Sequence, residues 1–253
     1  MLAVHQLNEP ETHIPSTRPL SPLNPIPHPI ADPLAEDWLL WQLADSAFPT
    51  GGFAHSGGLE AAWQHGEVRG SSELEAFIRA SLGQLGRGML PFMNAAYRQP
   101  EKLAEFDGLC HSFITNHVAN RASRLQGRAL YASATRIFGQ ARLEQIQVGK
   151  DGPALGHLAP VFGALARGLN LEGIRAARLF LFWQLRGWLA GAVRLGVVGP
   201  LEAQALQFSL GTYGEDVLNR YADLGLEDIA QTAPLLDLWQ GSQDRLYSRL
   251  FQS

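Results

Sequence analysis

Asp107, Cys110, His111 and His117 bring metal-ligating side chains closer together than any other stretch of this 253-residue chain. A closed site needs such groups to converge on one point. On a helix Asp107 and His111 share a face one turn apart, but His117 is rotated away and falls past the helix end, so the set does not close and no metal site is expected. His55 beside Ser56 offers a base next to a hydroxyl. Neighbours on a turn diverge, however, and no acidic orienter stands nearby in sequence, so a hydrolytic triad is not expected either. The run GGFAHSGG is rich in glycine like a phosphate cradle, but such a loop also needs a lysine, and the only lysines are Lys102 and Lys150. A nucleotide, if one is needed, must therefore sit on a partner. The remaining chemistry is cationic: Arg121, Arg124 and Arg128, joined by Arg136, fall on one side of a helix whose other side is apolar and alanine-rich. Such a stripe suits intrachain ion pairs or an acidic partner.

The element that presents these groups is FPTGGFAHSGGLE, residues 48 to 60. Pro49 ends a helix and biases Phe48 towards an extended backbone, while Gly51 and Gly52 admit positive φ. Ser56 is placed to cap the following helix, with Glu60 in its first turn. A turn constrained this closely is expected to hold Phe53 outward as a recognition surface.

From Ala35 onward the apolar spacing is helical almost throughout. Trp38 to Leu43 form a short first helix, Ser72 and Glu75 spell a capping box, and further helices are expected at about 156–169, 172–196, 200–220 and 235–250. Around Gly149 to Pro153 a loop is expected. No run combines period-two alternation with β-branched enrichment, so the fold class is all-α: one helical, bundle-like domain of about ten helices over residues 35–253. Residues 1–34 hold eight of the fifteen prolines and are expected to form a flexible, proline-rich tail, or a segment that orders on a partner. The net charge of −4 lends no support to nucleic-acid binding. Arg186 and Arg194 interrupt the most apolar region, Leu179 to Val198, which argues against a membrane span. A single cysteine, Cys110, fits a reducing cytosol.

FPTGGFAHSGGLE resembles the signature loop of the UreF family of urease accessory proteins. NHVANRASRLQGRAL (116–130), GHLAPVFGALARGLNL (156–171), RGWLAGAVRLGVVGPLEAQ (186–204) and RLYSRLFQS (245–253) agree with it. The chain departs from many members at Ala54–His55, where they carry Ser-Tyr, and at Gln243–Asp244, where histidine precedes an acidic residue. The resemblance implies a dimeric, non-catalytic, cytoplasmic scaffold. It would join UreD (also called UreH) and the GTPase UreG on apo-urease, promoting carbamylation of the active-site lysine and nickel insertion. It implies no stably bound cofactor, nickel and GTP being handled by the partner complex. The partner-binding residues expected are Phe53, His55, Glu60, Arg121, Arg124, Arg128, Arg194, Tyr247 and Arg249. Arg249 is expected either to lead the contact with UreG, on a terminal helix that pairs it with Arg245, four residues away, or to form a salt bridge within the chain. The helix from Ile174 to Val198, with Gly187 and Gly191, is expected to pack in the core or, as the dimeric habit of the resembled family implies, to form a homodimer seam that includes Arg194. The rival reading is an all-α enzyme with a small-molecule pocket near His55 and Glu60.

Overall fold

The computed structural model describes residues 33–139, 143, 146 and 155–253; the expected tail up to residue 32 and the loop at 149–153 lie outside these residues. The described residues form helices and connecting turns, with no strand among them. Ten α-helices follow in order: α1 (Pro33–Ala44), α2 (Leu59–Gln64), α3 (Ser71–Gly88), α4 (Leu90–Arg98), α5 (Leu103–Phe113), α6 (His117–Phe138), α7 (Leu158–Gly168), α8 (Gly173–Arg194), α9 (Pro200–Tyr221) and α10 (Pro234–Ser242). The first helix begins inside the expected tail, with Pro33 at the position where a missing N–H costs nothing.

The centre is built from α4, α7 and α8. Nine of the eleven residues of α7 are buried, and α8 buries residues from Ala176 to Ala192 on nearly every side. Helices apolar all round belong in an interior. Glycine sets the spacing at two contacts. A Cβ on Gly163 would collide with the carbonyl of Met93, so α7 lies directly against α4, and a Cβ on Gly127 would collide with the Gly156 carbonyl, where α6 meets the entrance to α7. Phe162 stacks on Phe180 at 5.5 Å between ring centroids and tilts against Trp183 at 4.9 Å, joining α7 to α8. Around this centre α3 and α6 pack against α9 and α7 respectively, while α2 and α10 pack against each other.

Local signals differ from the expected elements in two places. The Ser72–Glu75 capping box does not form: α3 starts at Ser71 behind Gly70 with no side-chain cap, and Glu75 instead pairs with Arg79 at 2.7 Å one turn along. The final helix expected at 235–250 stops at Ser242, continues as one 3₁₀ turn over Gln243–Arg245, and then leaves helical geometry at Leu246. Arg245 and Arg249 therefore do not share a helix face. The cause lies in the partner of these last residues.

Candidate functional site

The loop of residues 46–58 and the last eight residues of the chain form one structure. Three glycines with positive φ shape the loop: Gly51 (72°), Gly57 (61°) and Gly58 (90°). Gly52, expected to serve this purpose, does not; it opens a 3₁₀ turn over Gly52–Ala54. Gly57 also gives way to a neighbour, since a Cβ there would sit 2.7 Å from Trp188 Nε1. The chain end lies alongside this loop like an added strand. Gln252 N–H donates to the Ala54 carbonyl at 2.8 Å, and the Ser56 amide and hydroxyl both donate to the Ser253 carbonyl, at 2.5 and 3.0 Å.

Glu60 secures the seam from beneath. It is 1% exposed, and its carboxylate accepts from Leu250 N–H at 2.6 Å, Phe251 N–H at 3.1 Å and Gln243 Nε2 at 2.6 Å. A buried carboxylate must be compensated in this way, and the amides of Leu250 and Phe251 are available to it because they lie outside any helix. The departure from helical geometry at Leu246 is what frees them for Glu60. The cap of α2 falls on Gly58, without a side-chain bond, and not on Ser56 as expected; the Ser56 hydroxyl accepts from Glu60 N–H at 3.4 Å.

Arg194, at the end of α8, fixes the outer face of the seam. Its guanidinium carbon lies 3.9 Å from the Phe53 ring centre and 4.2 Å from that of Phe251, and Nη1 donates to the Phe53 carbonyl at 2.7 Å. One cation thus clamps the loop to the chain end. Phe251 is buried, while Phe53 remains 72% exposed on top of the clamp. Tyr247 is fully exposed. His55 is half-buried, with Nδ1 2.6 Å from Ser253 Oγ; burial, then the charge of Arg121, push its pKa down.

Beside the seam, Asp244 gathers three cationic or potentially cationic groups. Arg121 binds it in bidentate fashion at 2.8 and 3.0 Å, Arg249 at 3.1 Å, and His117 Nε2 stands 3.4 Å away. The bond from Arg121 holds the Asp244 carboxyl below its usual range. Two expected partner-binding arginines are thus joined to one another through an aspartate. The others lie further along α6: Arg128 donates through Nε to the Leu155 carbonyl at 3.0 Å, and Arg124 Nε is buried without a hydrogen-bond partner.

Behind the loop is a cavity of about 500 Å³. Its wall includes Phe48, Gly51, Gly187, Trp188, Asp237 and Phe251. Burial raises the Asp237 pKa. Gly191 lies under the Phe251 ring, where a Cβ would stand 3.6 Å from it, so this glycine serves contact within the chain; Gly187 faces open space.

The group Asp107, Cys110, His111 and His117 is divided by the fold. His117 turns to Asp244. Asp107 accepts three consecutive amides at the entrance to α7, from Leu155 (3.1 Å), Gly156 (2.7 Å) and His157 (2.7 Å). Cys110 is fully buried and its thiol pKa is raised by that burial. His157, which the sequence pattern did not single out, completes a polar chain. Ser123 Oγ accepts from Leu158 N–H at 3.1 Å and stands 3.1 Å from His157 Nδ1, and His157 Nε2 lies 3.2 Å from His111 Nδ1. Among the described residues no three His, Cys, Asp or Glu side chains form a metal-binding group.

The UreF family profile matches residues 68–211. The urease accessory protein F of Oryza sativa subsp. japonica is 34% identical over 92% of this chain and 96% of its own length. That of Arabidopsis thaliana is 38% identical over 85% of this chain and 92% of its own. UreF of Mycobacterium tuberculosis (strain ATCC 25618 / H37Rv) is 31% identical, over 85% and 98% respectively. With the all-α fold, the glycine-shaped loop and similarity over nearly the full length of its relatives, the chain belongs to the UreF family of urease accessory proteins.

Proposed function

We propose that this protein is a non-catalytic scaffold of urease maturation, acting in the cytoplasm as a homodimer that joins UreD and the GTPase UreG on apo-urease. Nickel and GTP are then handled by the assembled complex, and this chain contributes position. The observation that carries the reading is the clamp of Arg194 on Phe53 and Phe251, because it fixes a large aromatic outward at the junction of two distant segments. Exposed aromatics on a rigid base are what partner recognition requires. Tyr247, Arg121 and Arg249 lie on the same chain end or its Asp244 anchor and extend this surface; His55 and Glu60 support it from inside. Arg124 and Arg128 continue the cationic face along α6, and α8 is the element proposed for the dimer seam.

The enzyme alternative needs His55 and Glu60 free to meet a substrate. Both oxygens of Glu60 already accept bonds within the chain, and His55 lies against Ser253, so the observations favour the scaffold. The test is co-purification with UreD, and with UreG in the presence of GTP or GDP. Phe53→Ala is expected to weaken recruitment roughly thirty-fold, the loss of about 2 kcal/mol typical of an interface anchor. Its effect on folding should stay within about 1 kcal/mol, the value of an exposed cation–π contact. Normal recruitment by the folded variant, or turnover of a small molecule by the isolated protein, overturns the reading.

A further inference from the structure

One face of α8 borders open space. Phe180, Trp183, Gly187, Gly191 and Arg194 recur on it at helical spacing, and all of them line the cavity behind the loop. Gly187 stands midway along this face, where a Cβ would meet nothing within 4 Å. A second wall is α6 from Ala119 to Gln126, a length of about 10 Å, so the space is elongated. Interiors normally close such gaps, and about 500 Å³ walled by aromatic rings has the size and character of a ligand pocket.

The charges on the wall are unequally engaged. Arg186 lies beside the exposed Ser46 and Ala47 and donates through Nη1 to the Ala44 carbonyl. Among the described residues that is its one hydrogen bond, and no carboxylate pairs with it, so most of its N–H donors are open to an anion. Burial lowers its pKa, opposed only by the charge of Asp45. Arg194, by contrast, is committed to the rings of Phe53 and Phe251. Asp237, the one acidic residue of the lining, sits towards the other end of α6: its carbonyl accepts from Asn116, the N-cap of that helix, at 2.7 Å. Phe48, next to the Arg186 end, stacks instead on Phe138, the last residue of α6.

We infer that this cavity is a binding site for an amphipathic monocarboxylate of the fatty-acid class, with its apolar tail between α6 and α8 and its carboxylate on Arg186. One open guanidinium matches one carboxylate, which it can grip with two parallel N–H bonds, whereas a doubly charged phosphate calls for more cations than this end supplies. The elongated apolar space takes a tail and offers a second charged headgroup no partner beside Arg186. An amphipathic ammonium, which the aromatic rings and Asp237 would accept, is opposed by the charge of Arg186. The inference is independent of the partners proposed above.

The experiment titrates the full chain with dodecanoate below its micellar concentration and reads the heat released together with tryptophan fluorescence, since Trp183 and Trp188 both line the cavity. One saturable site per chain is expected. Arg186→Gln should weaken dodecanoate about ten-fold, as the loss of a hydrogen bond to a charged group implies, and leave dodecanol, which has the same tail and no charge, unaffected. Gly187→Leu places a side chain in the open space and should abolish binding of both, with the melting temperature kept or raised because glycine is a poor helix former. Dodecyltrimethylammonium should bind at least about ten-fold more weakly than dodecanoate, the cost of a repelled charge in place of a paired one. Four results overturn the inference: no saturable binding of dodecanoate, undiminished binding by folded Gly187→Leu, equal weakening of dodecanol and dodecanoate by Arg186→Gln, or a cationic ligand bound as tightly as the anionic one.

Discussion

Two buried carboxylates do the same chemistry in different parts of this protein. Asp107 and Glu60 are each 1% exposed, and each accepts consecutive backbone amides from a segment remote in sequence. The difference is what the captured segment leads into. Asp107 holds residues 155–157, which run directly into α7, a helix with nine of its eleven residues buried. Glu60 holds Leu250 and Phe251, which lie in the non-helical stretch from Leu246 to Ser253. The same type of knot therefore secures the whole framework in one case and a detachable strip in the other.

The largest effect should come from breaking the first knot. Asp107→Asn turns a donor towards amides that need an acceptor. With buried donors each costing about 1–3 kcal/mol when unsatisfied, the expected loss is about 3 kcal/mol of global stability by urea denaturation. A change confined to exchange of amides 155–157 would mean that α7 packs without the knot.

Protonation of His157 probes the same region. Burial lowers its pKa to about 4, opposed by Asp107 and reinforced by His111, Arg124 and Arg128. Between pH 6.5 and 4 the unfolded chain binds a proton that the folded chain does not. Stability from this group is thus complete above pH 6.5, falls as the pH drops, and is lost by pH 4, an effect of up to about 3 kcal/mol. His157→Gln should flatten that part of the stability profile; an unchanged profile would assign the pH dependence elsewhere.

Glu60→Gln tests the second knot and should act locally. Amide exchange at Leu250, Phe251 and Gln252 is expected to rise at least about ten-fold, while global stability falls by about 1–2 kcal/mol. Unfolding as severe as that of Asp107→Asn would erase the distinction between the two regions. The smallest expected effect on stability is that of Arg249→Ala. Its bond to Asp244 is half-exposed and Arg121 remains on the same carboxylate, so the change should stay within about 0.5 kcal/mol. Loss of UreG recruitment with stability intact would give the strip a role beyond the fold, and unchanged recruitment and urease activation would remove Arg249 from the interface.

The sequence announces the framework more clearly than the strip. Periodicity gives α8 and α9 almost to the residue, because burying one helix face leaves a local pattern. The glycines and Pro49 likewise mark the loop, although the positive φ falls at Gly51, Gly57 and Gly58 and not at Gly52. The chain end reads as helix from the same periodicity and is not one, because Glu60 takes its amides from a distance that no window spans. His157 escaped notice for a similar reason: its partners, Ser123 and His111, come from two other helices. In sequence Gln243 and Asp244 stand out only as a departure from the resembled family, and only the fold brings Arg121 to Asp244.

The separation of 190 residues between Glu60 and Leu250 also sets an order of events. Closing a loop of that length in a disordered chain costs about 3 kcal/mol more entropy than closing a single helical turn. Once α2 and α10 have packed, the remaining loop is only the few residues from Gln243 to Leu250, and the cost nearly vanishes. Loop entropy therefore favours closing the seam after α2 and α10 have packed. The aromatic surface that rests on the seam depends on that earlier packing.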